Sequence, residues 1–115
     1  MLNRAYSEVA EDGQQDARAG EREVIANCIE QMRLSDENPD DNIGRTKTIN
    51  YVTRVWNYLL NDLASDENHS SDEFKATLIS IGIFIMKHID KMRRDPNLIF
   101  KPVKEISEII LVGLK

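Results

Sequence analysis

The stretch Ala76–His88, ATLISIGIFIMKH, decides the fold of this chain. At about 100° per residue its apolar side chains cover half of a helix circumference or more, which is wider than the stripe of a surface helix. The stretch is also shorter than the roughly 20 residues needed to cross a membrane. We therefore predict a central helix that must be covered on more than one side. The apolar residues concerned are Leu78, Ile79, Ile81, Ile83, Phe84, Ile85 and Met86.

Three further segments repeat apolar residues at intervals of three and four, the pattern of a helix with one buried face. The predicted helices span 14–34, 41–64, 71–93 and 102–114, and the third contains the opening stretch. No strand-like alternation competes with this interpretation. Because 115 residues suit one core, we predict a single all-α domain over 1–115. It is a compact bundle of about four helices, preceded by a loosely ordered N-terminal arm at 1–13, where Tyr6 is the candidate docking residue.

Several single residues carry local predictions. Ser70 and Glu73 fit a capping box at the start of the third helix. Gly82 lies near the main apolar stripe of that helix, which predicts close approach of another backbone. Cys28 is the only cysteine, so it forms no intrachain disulfide, and its apolar neighbours at helical spacing predict a buried, unreactive thiol.

The sequence lacks the patterns of an enzyme. His69 and His88 are far apart and in no metal-ligand spacing, so both are interpreted as solvated and no metal site is predicted. There is no phosphate-binding loop or nucleophile elbow, and we expect neither catalysis nor a cofactor. The net charge of −5 opposes nucleic-acid binding. A basic cluster at 87–94 fits the negative C-terminal end of a helix instead.

Two apolar flanks outside the main stripes are candidate partner-binding surfaces. Each flank either packs against a neighbouring helix or contacts a partner, and the apolar outer side of the fourth helix is a third candidate. The first flank, on the second helix, contains Tyr51, Val55 and Tyr58. The second, on the third helix, contains Ile79, Ile83 and Met86.

Three segments have the order and spacing of a known family: GEREVIANCIEQM, TRVWNYLLNDLAS and FKATLISIGIFIMKHIDKMRR. They resemble the flagellar biosynthesis regulator FlaF family of alphaproteobacteria, and the likeness runs from about Tyr6 to Arg94. Phe84 stands where the family pattern has a Trp. The matching positions are Arg54, Trp56, Asp62, Leu63, Ala64 and Ser65, followed by Leu78, Ile79, Ser80, Ile81 and Gly82.

The resemblance implies a chaperone that binds flagellin before its secretion and acts alongside the regulator FlbT. An all-helical protein can hold an amphipathic helix of its client in a groove. The start of the sequence has no apolar run of signal-peptide length, so we expect a cytoplasmic protein without membrane insertion. Two alternatives stay open. One is a post-transcriptional regulator of flagellin synthesis that acts on RNA or with FlbT, and the other is a purely structural helical homodimer.

Overall fold

Four helices make up the part of the chain that the computed structural model describes, which is the backbone of residues 7–113 and the side chains of residues 20–113. They are α1 (Ser7–Glu37), α2 (Asn42–Ala64), α3 (Asp72–Arg94) and α4 (Lys101–Gly113). The predicted all-α bundle is confirmed, and the predicted ranges of α2, α3 and α4 agree with the observed ones to within one residue at each end.

Helix α1 is longer than the predicted range 14–34 at both ends. It begins at Ser7, so residues 7–13 of the predicted arm are helical, whereas Tyr6 lies outside the described residues. The segment 7–20 contains Glu, Gln, Ala and Arg, which are good helix formers, and the helix continues through its two glycines despite a cost of roughly 1 kcal/mol at each. At the other end, Arg33 bridges Glu30 and Glu37 at 2.7 and 2.6 Å, which supports the last turns.

The N-terminus of α3 corrects one local prediction. Its N-cap is Ser71, whose hydroxyl accepts a hydrogen bond from the backbone N–H of Phe74 at 3.2 Å. The predicted capping box at Ser70 and Glu73 is therefore wrong by one residue. The backbone N–H of Ser70 donates to the side-chain oxygen of Asn68 at 3.0 Å. That bond holds Ser70 in the preceding turn and leaves the cap to the next serine.

The four helices form a ring in which each contacts two neighbours. Helix α1 lies between α2 and α4, and α3 also lies between α2 and α4, so α1 and α3 are diagonal to each other. The contact of α3 with α4 is the least extensive of the four. Within the described residues, none of the helices combines the length and the apolar character that a bilayer crossing needs.

Polar contacts hold the α3–α4 connection at one end of the bundle, which we call the closed end. The backbone N–H of Phe100 donates to the carboxylate of Asp36 at 2.9 Å. The guanidinium of Arg45 donates to the carbonyl oxygens of Asp95 and Leu98 at 2.9 and 3.0 Å. A ring nitrogen of His88 lies 2.8 Å from the carbonyl oxygen of Ile99. The sequence predicted a solvated His88, and this prediction is wrong in part. The ring contacts the backbone of the residue just before Phe100 and so joins α3 to the α3–α4 connection.

The core of the bundle is centred on Trp56, which is almost fully buried. A Cβ placed on Gly82 would lie only 2.9 Å from Cε3 of Trp56 and 2.8 Å from Cδ2 of Leu60. The predicted close approach at Gly82 is therefore confirmed, but the indole and a leucine fill the space rather than a second backbone. Cys28 is buried as predicted, and this burial raises the pKa of its thiol to about 12, although a hydrogen bond with Tyr51 lowers it in part.

Replacing Gly82 by Ala is expected to destabilise the fold by about 1–3 kcal/mol, because overpacking against Trp56 exceeds a gain in helix propensity of about 1 kcal/mol. Gly20→Ala is the matched control, since a Cβ at that position would have no heavy atom within 4 Å. It is expected to stabilise the protein by up to about 1 kcal/mol. Urea unfolding followed by circular dichroism measures both effects, and equal stability of the two variants would contradict the close approach.

The Cys28 thiol predicts a specific loss of stability at alkaline pH. The folded state keeps the thiol protonated up to about pH 12, whereas the unfolded chain ionises it near its ordinary pKa of 9.0. Its contribution is complete below that value and declines as the pH rises between the two, by at most about 1.4 kcal/mol per pH unit. The urea midpoint of the wild type should therefore fall more steeply than that of Cys28→Ala from about pH 8.5 to about pH 10.5. Parallel slopes would show that the thiol is not buried.

Candidate functional site

The described part of helix α4 does not cover the neighbouring helices along their whole length. It has 13 residues, whereas α2 and α3 have 23 each, so at 1.5 Å per residue it is about 15 Å shorter. Because α4 begins at the closed end, its described residues, which run to Gly113, reach about halfway along α3. Among the described residues, the bundle therefore has four helices at the closed end and three at the other, which we call the open end and which contains the α2–α3 connection at 65–71.

The side chains of α3 become less buried beyond the level at which the described part of α4 ends. The main stripe predicted for this helix is apolar throughout, yet only its second half is buried in the core. Ile85, Ile89 and Met92 are almost inaccessible to solvent, whereas Phe74, Leu78 and Ile81 are only partly buried. By contrast, α2 is buried along its length, from Ile49 to Leu63. The first half of the α3 stripe therefore lacks cover on one side.

The uncovered side of α3 is the side that a longer α4 would occupy. His88 reaches the residue that precedes Phe100, so its face of α3 points toward α4. Phe84 and Ile81 lie four and seven residues before His88 and hence on that same face. Phe84 is 45% exposed although it is a large apolar residue next to the core residue Ile85. This exposure marks the point at which α4 no longer covers α3.

A narrow crevice extends this surface into the interior of the open end. Five of its six lining residues are apolar side chains from three helices, and the sixth is Glu21. We define the open-end surface as Phe74, Leu78, Ile81 and Phe84, of which Leu78 also lines the crevice. Phe84 is the exposed member, whereas the other three are partly buried and pack against the core with one side. The apolar lining is completed by Ile25 of α1 and by Trp56, Leu59 and Leu63 of α2.

The three residues of the predicted flank of α2 differ in burial. Tyr51 and Val55 are partly buried and pack against the core, and the hydroxyl of Tyr51 accepts a hydrogen bond from the side-chain amide of Asn27 at 2.7 Å. Packing between α1 and α2 therefore accounts for these two residues. Tyr58 is 70% exposed and is the member of this flank that is available to a partner.

The three residues of the predicted flank of α3 also differ in burial. Met86 is partly buried and packs against the core, Ile79 is partly buried, and Ile83 is exposed. Ile109 and Val112 are exposed on the outer side of α4. A role of these residues in binding stays a prediction. Phe84 was not among the predicted site residues, and the short predicted length of the last helix is the signal that could have revealed it.

A second, polar groove lies between α1 and α2. It has a volume of about 530 Å³, and its lining includes Asn27, Gln31, Lys47, Tyr51 and Arg54. It is larger than the crevice, but its mixed amide, hydroxyl and charged side chains are typical of an ordinary solvated surface. Among the described side chains, no group of three or more His, Cys, Asp and Glu residues is arranged to hold a metal ion.

Comparison with known proteins identifies one family. A family model described as flagellar protein FlaF matches residues 2–114, which is essentially the whole chain. No curated protein and no solved structure matched the sequence. The match therefore includes all four helices and every residue of the open-end surface.

Adjacent residues of α3 provide a test of the uncovered surface. Phe84→Ala is expected to lower the free energy of unfolding by about 1 kcal/mol or less, because the ring is half in solvent and Ala favours the helix. Ile85→Ala removes a fully buried side chain and is expected to cost about 2–5 kcal/mol. Urea unfolding of the two variants checks this contrast, and a large loss from Phe84→Ala would mean that α4 or another segment covers the ring.

Proposed function

The chain belongs to the FlaF family of flagellar proteins, and we propose that it is a cytoplasmic chaperone that binds flagellin before export. The family implies a role in flagellum biogenesis or its regulation. The proposed activity is binding rather than catalysis, and it requires neither a metal nor a cofactor. A regulator such as FlbT is a proposed second partner of the same protein.

The observation that carries this proposal is the uncovered apolar surface at the open end. Phe74, Leu78, Ile81 and Phe84 follow one another along about three turns of α3, and α4 does not extend over them. Burying such a row is favourable, at about 25 cal/mol for each Å² removed from water. An amphipathic helix that lies along α3 would bury it, as in other helix-in-groove complexes. Export chaperones need this kind of surface, since a client that becomes helical only on assembly exposes apolar side chains beforehand.

Co-purification with flagellin is the test of this proposal. Full-length flagellin should be retained by the wild-type protein, and retention should fall strongly with Phe84→Ala because the substitution removes the most exposed ring of the surface. Ile43→Ala is the matched control, since Ile43 is 72% exposed but lies at the start of α2, at the closed end. A C-terminally truncated flagellin then identifies the end of the client that is bound.

Three results would contradict the proposal in different ways. If the wild type retains no flagellin, the chaperone function is wrong. If Tyr58→Ala abolishes retention while Phe84→Ala does not, flagellin binds the α2 flank instead of the open end. If light scattering shows a stable dimer that Phe84→Ala dissociates, a second copy of the chain covers the surface.

A further inference from the structure

We infer that the open-end surface takes a cationic amphipathic helix, which lies along the exposed row of α3. This deepens the proposed function, on which it rests only for the biological identity of the partner. The inference specifies the chemistry of the partner segment: helical, apolar on one face, and rich in Lys or Arg at the end that reaches the α2–α3 connection.

The length of the exposed row defines the size of the partner segment. Phe74 and Phe84 are ten residues apart on α3, which corresponds to about 15 Å along the helix axis. A helix of about ten residues spans that distance and directs apolar side chains at i, i+3 or i+4, and i+7 toward one face. Those side chains would face Phe84, Ile81 and Leu78 in turn, and a further one at i+10 would face Phe74. A small side chain opposite Leu78 could enter the crevice.

The charge around the open end determines which helix fits. The described segments 20–23 and 62–75 contain seven acidic residues and two basic ones, Arg22 and Lys75. The chain as a whole has 20 acidic and 15 basic residues, so the excess of five acidic residues in these segments equals that of the whole chain. The acidic residues are Glu21, Glu23, Asp62, Asp66, Glu67, Asp72 and Glu73.

Three of these carboxylates have a structural role in the α2–α3 connection or at the start of α3. Asp62 accepts a hydrogen bond from the side chain of Asn68, and Asp72 and Glu73 suit the positive N-terminal end of α3. Asp66 and Glu67 are exposed at the tip of the connection and form no ion pair with another described residue. Opposite charge on the partner would compensate them, whereas an acidic helix would be repelled.

Two synthetic peptides test the inference directly. Both are amphipathic helices of about 14 residues with the same leucine face, and the polar face carries lysine in one peptide and glutamate in the other. Trp56 is the only tryptophan of the chain and lines the crevice, so its fluorescence reports binding without a label. We expect the lysine peptide to bind at least about tenfold more tightly than the glutamate peptide, and its affinity to fall from about 0.05 to about 0.5 M salt.

Variants locate the bound peptide. Phe84→Ala should lower the affinity for the lysine peptide about tenfold, because apolar contact is lost. Ile43→Ala should leave this affinity unchanged. The double substitution Asp66→Asn with Glu67→Gln should weaken it about threefold to tenfold, and should do so only at low salt. Asn and Gln preserve the shape of the two side chains, so a loss of affinity reports their charge.

The results separate this inference from the proposed function. Equal binding of the two peptides, or no binding of the lysine peptide, would overturn the cationic partner even if flagellin co-purifies through Phe84. Binding of the lysine peptide that Phe84→Ala leaves unchanged would overturn the open end as its site. Tight, Phe84-dependent binding of the lysine peptide supports the inference even if flagellin is not retained, and in that case the chaperone proposal fails by itself.

Discussion

The contact between Trp56 of α2 and Gly82 of α3 is the constraint on which the rest of the structure depends. The indole lies where any other residue at position 82 would place a side chain, so the two helices can approach closely only because this residue is glycine. The contact is made about halfway along α3, at the level where α4 ends. On one side of it α3 is buried among four helices, and on the other the same helix has neighbours on one side only.

The closed end determines how far α4 reaches. Three polar contacts, from Asp36, Arg45 and His88, hold the backbone of the α3–α4 connection. Each is worth about 1 kcal/mol, and more where a charged group takes part. With its start held there, α4 extends along the bundle only as far as its 13 residues allow. The position of α4 in the bundle therefore follows from where the connection is anchored.

The sequence predicted those parts of the structure that depend on local patterns. Helices α2 to α4 were placed to within one residue because apolar stripes, capping side chains and prolines mark both of their ends. The start of α1 was missed because residues 7–13 have no apolar period and because Gly13 favoured an end of the segment there. Cys28 and Gly82 were interpreted correctly because a single helix face determines their burial.

The candidate site depends on a relation between helices that no single segment reveals. In the sequence, the stripe from Phe74 to Met92 has the pattern of one continuous core face. Its burial is partial up to Ile81 and complete from Ile85 onward, because of where α4 lies in the bundle. Tyr51 and Met86 were candidates by the same pattern, and like Phe74, Leu78 and Ile81 they are partly buried and pack against the core. Wheel positions tell which residues share a face, whereas the surface that stays uncovered depends on the lengths of the neighbouring helices.

The buried half of α3 contributes to stability, and its partly exposed half is the surface proposed for binding. Ile85, Ile89 and Met92 supply the buried area that holds the fold together, whereas Phe74, Ile81 and Phe84 lie where their partial exposure weakens it little. A partner helix of about three turns would bury a modest apolar area and would stay removable. On the proposed function this suits an export chaperone, which must cover a client and then release it. A longer α4 would bury the same row within the protein, and it would remove the surface that the client needs.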